Sequence, residues 1–231
     1  MDFRQISVLI FDLDGTLIDS KLDLALAVNA TRCQMGLAPL EPEMIFGYVG
    51  QGAPMLIRRS LGQEAREEQI EKALPFFLAY YRQHMLDHTV TYPGVREALA
   101  QFNGLHLTVL TNKPVRFSQE ILLGLGIADY FRFVFGGNSF EKKKPDPIGV
   151  FAILERLACQ PKQAILVGDS EIDVLTARNA GICACGVSYG LGSHRLKDCP
   201  PDVTVDSLLE LAQLLRPAAS LPLREPSTPP T

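Results

Sequence analysis

The chain has 231 residues, enough for one large domain or for one domain carrying an insertion. Hydrophobic residues make up 47% and charged residues 21%, a globular balance that excludes wholesale disorder. A net charge of −4 argues against a protein that grips nucleic-acid backbones, and no apolar run approaches the ~20 residues that cross a bilayer. The first apolar run is Val8-Leu9-Ile10-Phe11, of strand length. Asp12 and Asp14 follow it at once, so the N-terminus lacks the apolar stretch of a signal peptide. From about residue 20 to residue 87 no strand is legible and helices are expected. Leu22, Leu26, Asn29 and Cys33 share one helical face, and Ile70, Leu74, Phe77 and Tyr81 another, with Pro75 predicting a kink or a split. A helix is then expected from Pro93 to about Phe102, where Gly104 closes it.

Strand and helix alternate through the rest of the chain. Strands are predicted at residues 107–110, 133–135, 164–167 and 183–187. Between them lie a helix from Val115 to Leu125, stopped by Gly126, and one after Pro147 with Val150, Ile153, Leu154 and Leu157 on a stripe. Each strand is a near-continuous apolar run, as strands covered by helices on both faces require. The expectation is an α/β, doubly wound parallel sheet interrupted after its first strand by a helical cap. Residues 1–19 and 89–216 would form the core, and 20–88 the cap, tethered by linkers near 19–20 and 88–93. Residues 217–231, rich in Pro, Ser and Thr, would be a disordered tail.

The five cysteines (Cys33, Cys159, Cys183, Cys185 and Cys199) are odd in number and never spaced CxxC, which speaks against a zinc site or a disulfide framework. Cys183 and Cys185 alternate along a strand as small apolar residues. The four histidines show no paired spacing. A cytoplasmic protein, monomer or homodimer, with neither nucleic acid nor membrane as partner is expected.

In an open α/β sheet, ligands sit beyond the carboxyl ends of the strands. There the sequence supplies Asp12-Leu13-Asp14-Gly15-Thr16, then Thr111-Asn112-Lys113, then a Gly-Gly-Asn loop leading to Lys142-Lys143-Lys144, then Gly168-Asp169-Ser170 with Asp173 beyond. Converging carboxylates repel; a like-charged pair about 4 Å apart costs about 4 kcal/mol in a near-surface dielectric. A cation is therefore expected among them, and an all-oxygen shell selects Mg²⁺ over zinc. With the Lys144 ammonium and the Thr111 hydroxyl, such a site suits a phosphoryl group, and a carboxylate held there can act as nucleophile. Lys142 and Lys143 fit a solvated surface, while Asn112 and Lys113 fit either a site or an exposed loop. Gly50-Gln51-Gly52 can make a simple turn, or open a helix bearing Arg58 and Arg59 that meets a substrate carboxylate.

DLDGTLIDS at residues 12–20, LTNK at 110–113, KKPDP at 143–147 and GDSEID at 168–173 resemble, in order and spacing, the four motifs of the haloacid dehalogenase-like superfamily. The resemblance spans the chain to about residue 216. It implies a Rossmann-like core and a Mg²⁺-dependent phosphatase with Asp12 as nucleophile and Asp14 as general acid and base. Thr111 and Lys144 would hold the phosphoryl oxygens. The side chains of Asp12 and Asp169 and the backbone carbonyl of Asp14 would bind the metal, with Asp173 in support of Lys144. The helical cap, Tyr92-Pro93-Gly94-Val95 and the cap segment Val49-Gly50-Gln51-Gly52 with Arg59 look like the phosphoglycolate phosphatase branch. That implies 2-phosphoglycolate as substrate, with Asn112, Gly50, Gln51, Gly52 and Arg59 as substrate-binding residues.

Other functions fit the same scaffold. Relatives in the superfamily dephosphorylate sugar phosphates, amino-sugar phosphates or pyrophosphate. A phosphomutase would keep all four motifs, and Thr16 leans only mildly towards a phosphatase. A metal-free dehalogenase would lack the second acid, and Asp14 stands against it. A regulatory binding protein without turnover would not need every catalytic position filled.

Overall fold

A computed structural model describes residues 3–215, so the tail expected at 217–231 lies outside the described residues. In chain order its elements are β1 (Val8–Phe11), β2 (Ile18–Asp19), α1 (Lys21–Gln34), α2 (Pro42–Phe46), α3 (Ala53–Leu61), α4 (Glu67–His84), β3 (Val90–Thr91), α5 (Val95–Leu99), β4 (His106–Leu110), α6 (Val115–Gly124), β5 (Phe133–Phe135), α7 (Ile148–Leu157), β6 (Ala164–Gly168), α8 (Glu171–Ala180), β7 (Cys183–Val187), β8 (Val203–Val205) and α9 (Leu208–Leu214). Six strands form one sheet in the order β5-β4-β1-β6-β7-β8, and every neighbouring pair is parallel.

Pleating sorts the side chains of β1 to two cores. Leu9 and Phe11 join Val109, Val167, Leu99 of α5, Ile121 of α6 and Leu208 of α9 on one face. Val8 and Ile10 join Leu166, Val150 of α7 and Val174 of α8 on the other. Burial on both faces is why β1 is apolar without alternation. Phe11 lies level with Val109 of β4 and Val167 of β6, so the residues that follow these strands emerge at one edge of the sheet.

Helices α1 to α4 lie between β2 and β3, which pair antiparallel as Ile18 with Thr91 and Asp19 with Val90. The face of α1 predicted from Leu22, Leu26 and Cys33 turns outward: Leu22 and Leu26 are 41% and 43% exposed, and Cys33 is exposed too. Leu24, Ala27, Val28 and Thr31 are buried instead. The buried face thus carries Leu24 and Val28 beside the smaller Ala25, Ala27 and Thr31. Pro75 neither splits nor ends α4. It is exposed, so the carbonyl that its missing N–H leaves unpaired can reach water. The helix expected from Pro93 begins only at Val95, because Gly94 takes a left-handed conformation (φ 78°), and it stops at Leu99.

One buried carboxylate closes the base of this helical insert. Asp23 of α1 accepts hydrogen bonds from His88 N (3.1 Å), Thr89 N (2.8 Å) and Thr89 Oγ1 (2.7 Å), and His88 Nδ1 lies 2.8 Å away. It therefore ties the entry of the insert to its exit, beside the β2–β3 pair. Asp23→Asn keeps the shape but turns an amide donor towards donors. It is expected to lower stability by about 2 kcal/mol, the scale of hydrogen bonds to a charged group. Urea unfolding of the variant beside the wild type checks this, and an unchanged midpoint would remove Asp23 from the role.

Candidate active site

The edge where β1, β4 and β6 end collects the polar residues. Asp12 follows β1, with its N–H donating to Val167 O at 2.9 Å. Asp169 follows β6, and Asp173 lies in the first turn of α8. Each of the three buried carboxylates offers an oxygen, and these oxygens lie within 4.8 Å of one another. Lys144 enters from the loop before α7, with Nζ 3.0 Å from Asp12 Oδ1 and 2.6 Å from Asp173 Oδ1. The other oxygen of Asp173 accepts from Ser170 N (3.1 Å) and Ser170 Oγ (2.7 Å), so Asp173 is fully engaged in holding Lys144 and capping α8.

Asp169 is placed by tight backbone. Gly192 N donates to its Oδ2 at 2.7 Å, and Thr16 Oγ1 lies 3.4 Å from its Oδ1. Gly15 has φ +86°, and a Cβ there would lie 2.3 Å from Asp169 Oδ2. A Cβ at Gly190 would lie 2.1 Å from Asp169 Cβ. Both glycines are required by the approach of this one carboxylate.

Three carboxylates against one ammonium leave the cluster short of positive charge. Burial pushes the Asp169 carboxyl up to about 8, with the neighbouring Asp173 and Asp12 charges adding to it. Burial likewise pushes Asp12 up to about 6, although Lys144 pulls the other way. For Lys144, burial favours the neutral amine, but Asp12 and Asp173 outweigh it and hold the ammonium above its ordinary value. A divalent cation with a taste for oxygen fits a site of this charge and donor set.

The residue between Thr111 and Asp14 is one that sequence reasoning left open. Thr111 is buried at the end of β4, its N–H bonded to Phe135 O at 3.0 Å and its Oγ1 accepting from Lys113 N at 3.3 Å. Lys113 is buried, not an exposed loop residue. Its Nζ lies 2.9 and 3.1 Å from the two Asp14 oxygens and 2.8 Å from the Tyr81 hydroxyl of α4. Asp14 also accepts from Ser20 Oγ at 2.6 Å. Burial opposes the Lys113 charge, yet Asp14 and Tyr81 raise it above the usual lysine range. Burial pushes the Tyr81 hydroxyl up to about 12, so Tyr81 stays neutral. A lysine two residues after a strand-end threonine was the only sequence signal for this group, and its partners lie 99 and 32 residues away.

Asn112 staples three segments, donating from Nδ2 to Gly50 O (3.0 Å) and Lys144 O (3.1 Å). Gly50 and Gly52 line a cavity of about 40 Å³ between insert and core, room for about three water-sized groups. Asp12, Asp14, Asn112 and Lys113 line its polar side, and Leu24, Leu56, Phe77 and Phe117 its apolar side. Two predicted substrate-binding residues do not reach it. Gln51 and Arg59 are bonded to each other, Arg59 NH2 donating to Gln51 Oε1 at 2.8 Å and NH1 to Tyr48 O at 3.3 Å. The guanidinium braces the loop that carries the two glycines rather than facing the cavity. Arg58 is paired with Glu67.

Among the described residues, no helix is long and apolar enough to cross a membrane. Comparison with known proteins matches the same strands and strand ends. The haloacid dehalogenase-like hydrolase family model matches residues 9–187. A phosphoglycolate phosphatase of Chromobacterium violaceum is 39% identical over 222 residues, covering 94% of this chain and 99% of that protein. One of Vibrio vulnificus is 38% identical over 226 residues, covering 93% and 98%. The crystal structure of a predicted phosphoglycolate phosphatase from Haemophilus somnus superposes with a TM-score of 0.87 at 30% identity, covering 92% of this chain and 99% of that one. Since the match runs from the strand that precedes Asp12 to the strand beyond Asp169, the chain belongs to the haloacid dehalogenase-like hydrolases.

Proposed function

We propose that the protein is a Mg²⁺-dependent phosphatase of the cytoplasm that hydrolyses 2-phosphoglycolate to glycolate and phosphate. The observation that carries this reading is the placement of Asp12: buried at a strand end, 3.0 Å from the Lys144 ammonium, and on the wall of the cavity between insert and core. Relatives similar over nearly the whole chain are named for the two-carbon substrate.

In this reading the Asp12 carboxylate attacks phosphorus, and the P–O bond to the leaving alkoxide breaks. Asp14 gives the alkoxide its proton, then takes one from the water that hydrolyses the aspartyl phosphate. Lys144 and Thr111 hold the phosphoryl oxygens, and Asp173 keeps Lys144 aimed. The side chains of Asp12 and Asp169 and the Asp14 backbone carbonyl would hold Mg²⁺, which supplies positive charge to the acidic cluster and to the phosphoryl group. Residues 20–88 serve as a cap over the core (1–19 and 89–216) and exclude water during transfer.

A panel of phosphate esters ranked by kcat/KM, with Mg²⁺ and with excess chelator, tests the proposal. 2-Phosphoglycolate is expected to rank first, chelation to stop phosphate release and Mg²⁺ to restore it. A sugar phosphate at the head of the ranking would overturn the substrate, and turnover in excess chelator would overturn the cofactor.

A further inference from the structure

Lys113 is the only cation lining the cavity among its described residues, and the insert's arginines nearest to it, Arg58 and Arg59, are bound elsewhere. A substrate carboxylate entering the cavity meets apolar side chains, the carboxylates of Asp12 and Asp14, and this one ammonium. An ammonium has three donors. In the structure they face Tyr81 Oη at 2.8 Å and the two Asp14 oxygens at 2.9 and 3.1 Å, so the ammonium is saturated. A second carboxylate can bind it only by taking over at least one of the two donors that Asp14 holds. While both Asp14 oxygens are held by Lys113, and one of them by Ser20 as well, neither is free for a leaving oxygen.

We propose that Lys113 is the specificity-determining residue and works by exchanging anions: the substrate's distal carboxylate takes over the donors that Asp14 holds on the ammonium, and the released Asp14 takes a proton from solvent and turns that O–H to the ester oxygen, which keeps the proton as the P–O bond breaks. Tyr81 is a positioning residue in this scheme. Its hydroxyl and its ring face, whose centroid is 4.6 Å from Nζ, hold the ammonium in place while its anion changes. The enzyme thus recognises phosphate esters that carry a carboxylate within reach of Lys113, and it rewards them in kcat rather than in KM. This rests on the phosphatase reading above, in which Asp14 serves the leaving oxygen.

Two esters and one acyl phosphate of similar size test it in the presence of Mg²⁺. 2-Phosphoglycolate carries the carboxylate, ethyl phosphate lacks it, and acetyl phosphate lacks it but has a leaving group that needs no proton. In the wild type, kcat for 2-phosphoglycolate is expected to exceed that for ethyl phosphate by about 100-fold, the lower scale of general-acid catalysis. Acetyl phosphate should not show the deficit of ethyl phosphate. Lys113→Met should bring the 2-phosphoglycolate to ethyl phosphate ratio of kcat close to one, and Lys113→Arg should keep part of it. Equal kcat for the two esters in the wild type, or a ratio unmoved in Lys113→Met, would overturn the exchange. The wild-type comparison decides even where Lys113→Met does not fold. Phosphate release from acetyl phosphate with equal kcat for the other two sinks the exchange alone. No release from any of the three sinks the phosphatase reading and the exchange with it.

Discussion

Asp12→Asn is expected to keep the fold and to lose phosphate release from 2-phosphoglycolate by about 10⁴-fold or more, the scale seen when a hydrolase loses its nucleophile. The amide matches the carboxylate in volume, and the backbone bond from Asp12 N to Val167 O does not depend on the side chain. What changes is charge. Asp12 shares a 4.8 Å cluster with Asp169 and Asp173, and burial already pushes its carboxyl up to about 6. Replacing it with a neutral group relieves repulsion in the protein without metal, so Tm is expected to hold or rise while turnover disappears. That combination separates a lost nucleophile from a damaged fold. Acid-quenched wild type should carry phosphate on Asp12 in a bond that hydroxylamine cleaves, and the variant should carry none. Turnover by Asp12→Asn at the wild-type rate would end the covalent mechanism.

The central strands β1, β4 and β6 were legible because they are buried on both faces. Runs such as Val8-Leu9-Ile10-Phe11 and Ala164-Ile165-Leu166-Val167 have no competing explanation in a chain of ordinary composition. Their ends were legible for the same reason, since a strand of known direction predicts which residue meets the ligand. Less was visible where the signal was short or distant. The β2 and β3 pair has two residues in each strand and no periodicity to detect, and β8 is only three residues long. On α1, sequence hydrophobicity favoured Leu22 and Leu26, whereas the buried face is made by Leu24, Ala27, Val28 and Thr31. Asp23 and Lys113 had polar identities that suited a surface. Only their partners, 65 and 66 residues on for Asp23 and 99 residues back for Lys113, explain why each is buried. Such long-range pairs leave no trace in local composition.

Removing Lys144 should cost more stability than removing any of the acids around it. Its ammonium is buried between Asp12 and Asp173, and among the described residues Lys144 is the only ammonium paired with the acidic cluster. Lys144→Met keeps the length and apolar character of the stem but leaves three carboxylates within 4.8 Å of one another with no positive group among them. Breaking a buried ion pair by deleting one partner costs about 3–5 kcal/mol, because the remaining charge stays buried and unpaired. For a domain of this size that corresponds to a fall of about 10 °C in Tm. A divalent cation binding the same carboxylates should return part of the loss, so the gain in Tm on adding Mg²⁺ should be larger in Lys144→Met than in the wild type. Activity should not return with it, because the metal does not replace the ammonium on the phosphoryl oxygens. Thermal denaturation with and without MgCl₂ reads both terms. A variant as stable as the wild type without metal would show that Asp12 and Asp173 do not depend on the ammonium between them, and the electrostatic reasoning for a cation at this strand edge would fall.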